Sequence, residues 1–250
     1  MEIIFLGTGT SHGVPMIGCK CKVCASGNPK NNRLRSSLWI KDKDTSIIID
    51  TATEFRIQAL KYDIPSIDAV LYTHFHADHV HGIDDLRRYN HIQDKAISCY
   101  GSKKTINSIK KRHSYINLPG ESVPLLNFNI VKNEFFVKNL RVVPVKLEHG
   151  NMQVFGYRVG NIAYLTDCKK IPERSYKLLK NLDVLIIDGL RHKEHDTHLT
   201  IEEAIKEGLR IKPRRMFITH ICHEVDHDKD NSQLPAGCEL AYDGLTVGCN

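Results

Sequence analysis

Four side chains able to bind a metal fall within six residues, His74-Phe75-His76-Ala77-Asp78-His79, directly after Asp68 to Thr73, a run that reads as a β-strand. At the end of a strand, residues two apart point to the same side, so His74 and His76 can grip one ion together. The chain then turns, and Asp78 and His79 can face a second ion beside the first. Imidazole and carboxylate suit zinc, manganese or iron, and no soft ligand forces one choice. Four ligands cannot complete two sites, so the fold must bring others in from a distance. His149 after Val145-Lys146-Leu147, Asp167 after Tyr164-Leu165-Thr166 and His220 after Ile218-Thr219 all stand at other strand ends. Asp167 has two oxygens to share and could bridge both ions.

The rest of the pattern supplies a frame for such a site. Glu2–Leu6, Ser37–Lys41 and Ser46–Asp50 read as strands, and Thr53 to Tyr62 reads as a helix with Thr53 in the capping position. Gly82 to Asn90 and Ser102 to Arg112 read as helices. The middle is β-rich: Phe128–Val131, Glu134–Val137, Leu140–Leu147, Val154–Val159 and Ile162–Thr166, with Gly160-Asn161 suited to a hairpin turn. A helix over Pro172–Leu179, a strand over Val184–Asp188, a helix over Thr200–Leu209 and a strand over Arg215–Thr219 follow. Glu224 to Ser232 reads as a polar surface loop, and a last strand is expected near Glu239–Val247. Asp50, His74, Asp167, Asp188 and His220 all fall where strands end, which is where layered α/β folds build their sites. The expectation is one domain over residues 1–250, with sheets inside and helices outside.

Composition narrows the setting. Apolar residues make up 41% and charged residues 26% of the 250, ordinary for a globular protein. No apolar run approaches the ~18 residues of a membrane span. The opening Met1-Glu2-Ile3-Ile4-Phe5 lacks the basic region and long apolar stretch of a secretory signal, so a cytoplasmic protein is expected. A net charge of +6 can attract anionic substrates but is too small to argue for nucleic acid, and runs such as Lys110-Lys111-Arg112 read as a solvated helix face.

Two loops carry further chemistry. Gly7-Thr8-Gly9-Thr10-Ser11-His12-Gly13 follows a strand but is no dinucleotide fingerprint, because His12 stands where the third glycine would fall. It reads as a tight turn that brings backbone near the site. Cys19-Lys20-Cys21-Lys22-Val23-Cys24 places three thiols in six residues, within a loop at 18–25. In a cytosolic chain they suit a structural zinc, whose fourth ligand must come from a distance; Cys222 and His223 are both placed for it.

The H-x-H-x-D-H run, with Asp50, His149, Asp167 and His220 in order around it, resembles the metallo-β-lactamase superfamily over essentially the whole chain. The resemblance implies an α+β fold, the αβ/βα four-layer sandwich, with a dinuclear site at one edge of two sheets. It implies that His74, His76 and His149 hold one ion, that Asp78, His79 and His220 hold the other, and that Asp167 bridges. The opening Gly7–Cys24 pattern, Thr219-His220-Ile221-Cys222-His223 and the closing Leu234-Pro235 to Val247-Gly248 resemble one branch, the phosphoribosyl cyclic phosphate phosphodiesterases of phosphonate breakdown. That branch implies Cys19, Cys21, Cys24 and His223 as structural zinc ligands and manganese or zinc, with iron also fitting, in the active site. It also implies that His198, in Asp196-Thr197-His198-Leu199-Thr200, contacts phosphate and helps protonate the leaving group, and it makes a homodimer plausible. His192 and His195 match no such position and read as surface residues.

The expected activity is metal-dependent hydrolysis of a small, cyclic phosphodiester, with a hydroxide held between two ions and Asp78 and His198 as the catalytic side chains. The alternatives are another hydrolase on the same fold (an RNA-processing nuclease, a thioester or lactone hydrolase) and a non-catalytic carrier of the pyrroloquinoline quinone biosynthesis type. No long basic, glycine-rich insertion offers an arm for RNA.

Overall fold

The structure, a computed structural model, describes residues 1–119 and 122–249. It contains two seven-stranded sheets. The first has the order β14 (Thr246–Gly248), β1 (Glu2–Gly7), β2 (Ser37–Asp42), β3 (Thr45–Ile49), β4 (Ala69–Leu71), β5 (Ile97–Gly101) and β6 (Leu126–Ile130). The second has the order β13 (Cys238–Leu240), β12 (Arg215–Thr219), β11 (Val184–Asp188), β10 (Ile162–Leu165), β9 (Met152–Val159), β8 (Leu140–His149) and β7 (Phe135–Val137). Each sheet is mixed. Pairing is antiparallel from β14 to β3 and from β7 to β10, and parallel from β3 to β6 and from β10 to β13.

Alternation along the strands builds four layers. Ile3, Phe5, Leu38, Ile47 and Leu71 of the first sheet meet Val142, Tyr157, Tyr164, Ile186 and Phe217 of the second in one core cluster. The rings of Phe5 and Phe217 approach to 5.7 Å across the gap, at a tilt. Tyr157 also donates to the Tyr72 carbonyl at 2.9 Å, so this polar group finds its partner inside the core. The opposite face of the first sheet, including Trp39, Val70 and Cys99, packs on Phe55 of α1 (Phe55–Lys61), Leu86 and Tyr89 of α3 (Leu86–Gln93) and Ile109 of α4 (Lys103–Arg112). The opposite face of the second sheet, with Val145, Leu165, Ile187 and Ile218, packs on Ile201 and Ala204 of α6 (Ile201–Ile211). The apolar runs Ile47-Ile48-Ile49 of β3 and Val184 to Ile187 of β11 follow from this, since both faces of those strands are buried.

Several expectations are corrected. The helix expected from Thr53 begins at Phe55, with Glu54 rather than Thr53 as its cap residue and no side-chain cap bond. The single helix expected over Gly82–Asn90 is a tighter turn over His81–Asp85 followed by α3, and a short α2 (Ala77–Val80) precedes it. Gly82 lies so close to the start of α1 that a Cβ would meet the Phe55 Cβ at 2.4 Å and the preceding Ala52 carbonyl at 2.2 Å. The helix expected over Pro172–Leu179 is only α5 (Glu173–Tyr176). Strand β5, which has no counterpart in the expectations, lies buried between β4 and β6. The expected surface loop Glu224–Ser232 contains α7 (His227–Asn231), capped by the Asp226 side chain on the Lys229 amide. The expected last strand Glu239–Val247 is two strands, β13 and β14, one in each sheet.

Candidate dinuclear metal centre

The carboxyl ends of the parallel strands converge on one edge of the two sheets, and the candidate metal-ligating side chains sit there. β3 leads to Asp50, β4 to His74, β10 to Asp167, β11 ends at Asp188 and β12 leads to His220. Asp50, Asp167 and His220 have φ of +62°, +51° and +61°. Left-handed backbone is uncommon outside glycine, and here it turns the chain sharply at the point where the side chain must face the site.

Two groups of ligand atoms result. His74, His76, His149 and Asp167 form one, Asp78, His79 and His220 the other, and the ligand atoms within each group lie within 4.8 Å of one another. Asp167 stands between them. Its Oδ1 lies 3.8 Å from His74 Nε2 and 3.9 Å from His149 Nε2, while its Oδ2 lies 3.1 Å from His79 Nε2 and 3.6 Å from His220 Nε2. The two oxygens thus face different groups, as a bridging carboxylate requires. Asp78 Oδ2 completes the second group, 3.3 Å from His79 Nε2 and 3.9 Å from His220 Nε2.

The far sides of the rings are fixed by neighbours. Asp50, fully buried, accepts from Thr73 N, Thr73 Oγ1 and His79 Nδ1 at 2.8, 2.8 and 2.7 Å. His149 Nδ1 donates to the Thr197 carbonyl at 2.8 Å. Such bonds set the tautomer and leave Nε2 with its lone pair toward the centre. The buried Nε2 atoms of His74, His79 and His220 have no hydrogen-bond partner in the protein. Orphaned imidazole nitrogens in a dry site are costly unless something else takes their lone pairs, and a divalent cation fits that demand.

The electrostatics agree. Burial pushes the His74, His76 and His149 imidazoles down, which favours the neutral form that can ligate a cation. Burial opposes a charge on Asp167 and Asp78, but the surrounding imidazoles outweigh it and hold both carboxyls well below the ordinary range. Burial likewise disfavours a charged His79, yet Asp167, Asp78 and Asp50 together pull its pKa well above the usual value.

His198 lies at the margin of the centre. Its ring stacks on His220 at 4.7 Å between centroids and meets the His149 ring edge-on at 4.8 Å. Nδ1 donates to Asp188 Oδ2 at 2.8 Å. Burial works against the charged form, but Asp188 prevails and lifts the His198 pKa to about 9. Asp188 thus stands behind His198; its place at a strand end was visible in the sequence while its partner was not. Of the two histidines expected at the surface, His192 is exposed and pairs with Glu202 at 2.6 Å, but His195 packs against His198 with ring centroids 5.1 Å apart.

The cysteine loop gathers as a second kind of site. Cys19, Cys21 and Cys24 Sγ and His223 Nδ1 lie within 4.8 Å of one another, with Cys19 and Cys21 3.3 and 3.4 Å from the ring nitrogen. Backbone amides of Met16, Cys21 and Cys24 point at the sulfurs at 3.3–3.5 Å. The amide of Cys24 and the ring of His223 lower the Cys21 thiol to about 6, whereas burial raises Cys24 to about 11. Of the two residues open for the fourth place, His223 joins the thiols; Cys222 turns away, its sulfur accepting from the Glu224 amide at 3.3 Å. The fully buried Arg33 ties this segment down through the Cys222 and Val225 carbonyls at 3.1 and 3.0 Å. The glycine-rich turn runs alongside: Gly9 bridges Ile221, next to His220, and a Cβ on Gly9 would meet the Arg33 carbonyl at 2.7 Å.

Fold and site together define a metallo-β-lactamase-type centre on a four-layer sandwich. The chain belongs to the β-lactamase superfamily: the model of the beta-lactamase superfamily domain matches residues 45–221. The likeness reaches one branch. The crystal structure of a new diphosphatase from the PhnP family superposes with a TM-score of 0.94 at 39% identity, covering 100% of this chain and 98% of that one. Zinc-bound PqqB from Methylobacterium extorquens shares the fold, with a TM-score of 0.79 at 20% identity and 100% coverage of both chains. An octanoyltransferase of Porphyromonas gingivalis is 40% identical over 98% of this chain and 51% of its own length, so this chain spans about half of that curated relative.

Proposed function

We propose that this chain is a metal-dependent phosphodiesterase acting on small, including cyclic, phosphodiesters such as phosphoribosyl cyclic phosphate. The observation that carries the reading is Asp167, whose two oxygens face two separate groups of ligand atoms with orphaned imidazole nitrogens between them. In this reading His74, His76 and His149 hold one ion, Asp78, His79 and His220 the other, and Asp167 bridges. Divalent ions in those places, manganese, zinc or iron, supply Lewis acidity at the phosphoryl oxygens and lower the pKa of water. Asp78, 12% exposed at its side chain, also has an oxygen with which to orient the attacking water. His198, kept protonated by Asp188, stabilises negative charge growing on the phosphoryl group and gives its proton to the leaving oxygen. Cys19, Cys21, Cys24 and His223 hold a structural zinc, which uses four ligands and leaves none open for chemistry. The same reading keeps residues 1–250 as one hydrolase unit, a cytoplasmic setting and a homodimer.

The 39% identity to a PhnP-family diphosphatase over nearly all of both chains supports hydrolysis at phosphorus rather than at a carboxylic ester. A second reading, thioester or acyl-transfer chemistry, is favoured by the name of the octanoyltransferase, of which this chain accounts for about half. After manganese loading, turnover is measured with a ribose cyclic phosphate, bis(4-nitrophenyl) phosphate and an octanoyl thioester, with His76→Ala as control. Turnover of the phosphodiesters that His76→Ala lacks is the expected result. Thioester turnover alone, or full activity in His76→Ala, overturns the reading.

A further inference from the structure

One short strap, residues 195–198, serves two side chains of the site. The Thr197 carbonyl accepts from His149 Nδ1 at 2.8 Å, and the next residue is His198, whose Nδ1 donates to Asp188 Oδ2 at 2.8 Å. The end of the strap nearer α6 is pinned by backbone. The Leu199 amide donates to the Cys168 carbonyl at 2.8 Å, one residue past Asp167, and the Leu190 amide donates to the Leu199 carbonyl at 2.9 Å. The other end has a different anchor. The Thr197 amide and hydroxyl both point at His195 Nδ1, at 3.3 and 3.2 Å.

The direction of these bonds follows from the donors. A backbone N–H can only donate, so His195 Nδ1 carries a lone pair and the ring holds its proton on Nε2. A side-chain acceptor bonded to the amide two residues on is the arrangement of an Asx turn, here with an imidazole nitrogen in place of an asparagine oxygen. Thr197 is confined from the opposite side as well. Gly150, with φ of +56°, comes so close that a Cβ there would meet Thr197 Cγ2 at 2.9 Å. Thr197 is thus gripped between His195 and the turn that follows His149. His195 itself is half-buried on the wall of a cavity of about 320 Å³ that His198 also lines. Its ring lies 5.1 Å from the His198 ring, so the turn and the ring contact fix the strap together.

We propose that His195 is a positioning residue for the metal centre: its Nδ1 sets the turn that keeps the Thr197 carbonyl behind His149 and so holds the Nε2 of that ring toward the ion. In this role it needs no contact with ion or substrate. Without the turn, the Thr197 carbonyl shifts, the His149 ring gains freedom to rotate, and that freedom is lost again each time an ion binds. The inference rests on the reading of His149 as a metal ligand.

The test is calorimetric titration of manganese into the ion-free protein. His195→Leu is expected to weaken one active-site affinity by about three- to tenfold, the equivalent of one net hydrogen bond. His195→Asn puts an acceptor oxygen where Nδ1 stands and should return that affinity to within about twofold of native. A role in packing alone would rank the two variants the other way, because leucine fills the space of the ring better than asparagine. Proton NMR gives a second readout, in the ion-free and the zinc-loaded protein. The His149 Nδ1 proton should exchange with water faster in His195→Leu and at the native rate in His195→Asn. Native affinity and native exchange in His195→Leu, or an equal loss in both variants, overturns the proposal. Failure of the metal-ligand reading looks different: the native protein would bind no manganese at this centre, while the His149 proton would still report whether His195 holds the strap.

Discussion

Asp50 offers the sharpest test of how the centre is assembled, because it touches no proposed ion itself. Its Oδ1 accepts from the Thr73 amide and its Oδ2 from both Thr73 Oγ1 and His79 Nδ1. Asp50→Asn keeps the shape and replaces one acceptor oxygen by a donor. With the amide nitrogen at the Oδ2 place, His79 meets a donor and must move its proton to Nε2, which removes the lone pair an ion needs. With the amide flipped, the nitrogen faces the Thr73 N–H instead, so neither orientation satisfies all three donors. A hydrogen bond to a charged group contributes about 1.5–3 kcal/mol. Partners behind metal-bound histidines typically change metal affinity or activity by about 10- to 100-fold, which is about 1.4–2.7 kcal/mol, so the two estimates meet. Calorimetric titration of manganese into ion-free Asp50→Asn should therefore show one active-site affinity weakened 10- to 100-fold. The cysteine-loop zinc and the circular dichroism should not change. Both active-site affinities unchanged within about twofold would refute the argument that Asp50 sets the tautomer of His79.

Two further outcomes follow from particular residues. His227 is buried against Tyr242, and burial together with Lys30 and Arg33 depresses it to about 4. Because its folded pKa lies below the ordinary value of about 6.5, the unfolded chain takes up the proton first. The His227 contribution to stability is thus complete above about 6.5 and is lost as the pH falls toward about 4; urea midpoints should drop across that window, less steeply in His227→Phe. Cys21→Ser should lower bound zinc by one ion per chain and lower the thermal midpoint, since a structural zinc contributes directly to folding; metal analysis showing unchanged zinc would remove Cys21 from the ligand set.

Much of this architecture was legible in the one-dimensional pattern, for reasons that are local. A strand buried on both faces has no choice but to be apolar throughout, and Ile47-Ile48-Ile49 and Val184 to Ile187 show it. Thr200 and Glu203 form a reciprocal capping box that announces α6 from four residues. The elements that escaped are those stabilised by distant partners. β5, Ile97-Ser98-Cys99-Tyr100-Gly101, is short and mixed in polarity, and it is a strand because β4 and β6 flank it. The closing segment divides because Met216 to Ile218 pairs with Cys238 to Leu240 in one sheet while Glu2 to Ile4 pairs with Thr246 to Gly248 in the other.

The sequence by itself determined which residue types the centre has to work with: imidazoles and carboxylates at strand ends, and three thiols in a short loop. Their identity follows from metal-ligand chemistry, which residue type and spacing encode directly. Only the tertiary structure decided how they meet. It set the two oxygens of Asp167 toward different groups, placed Asp50 and Asp188 behind His79 and His198, chose His223 over Cys222, and moved His195 from the expected surface to the wall of a cavity. Those choices depend on where separate strands end in space, and on left-handed turns at Asp50, Asp167 and His220 that no local pattern announces. Pairing and packing between elements far apart in the chain fix such positions, and a linear pattern does not contain those distances.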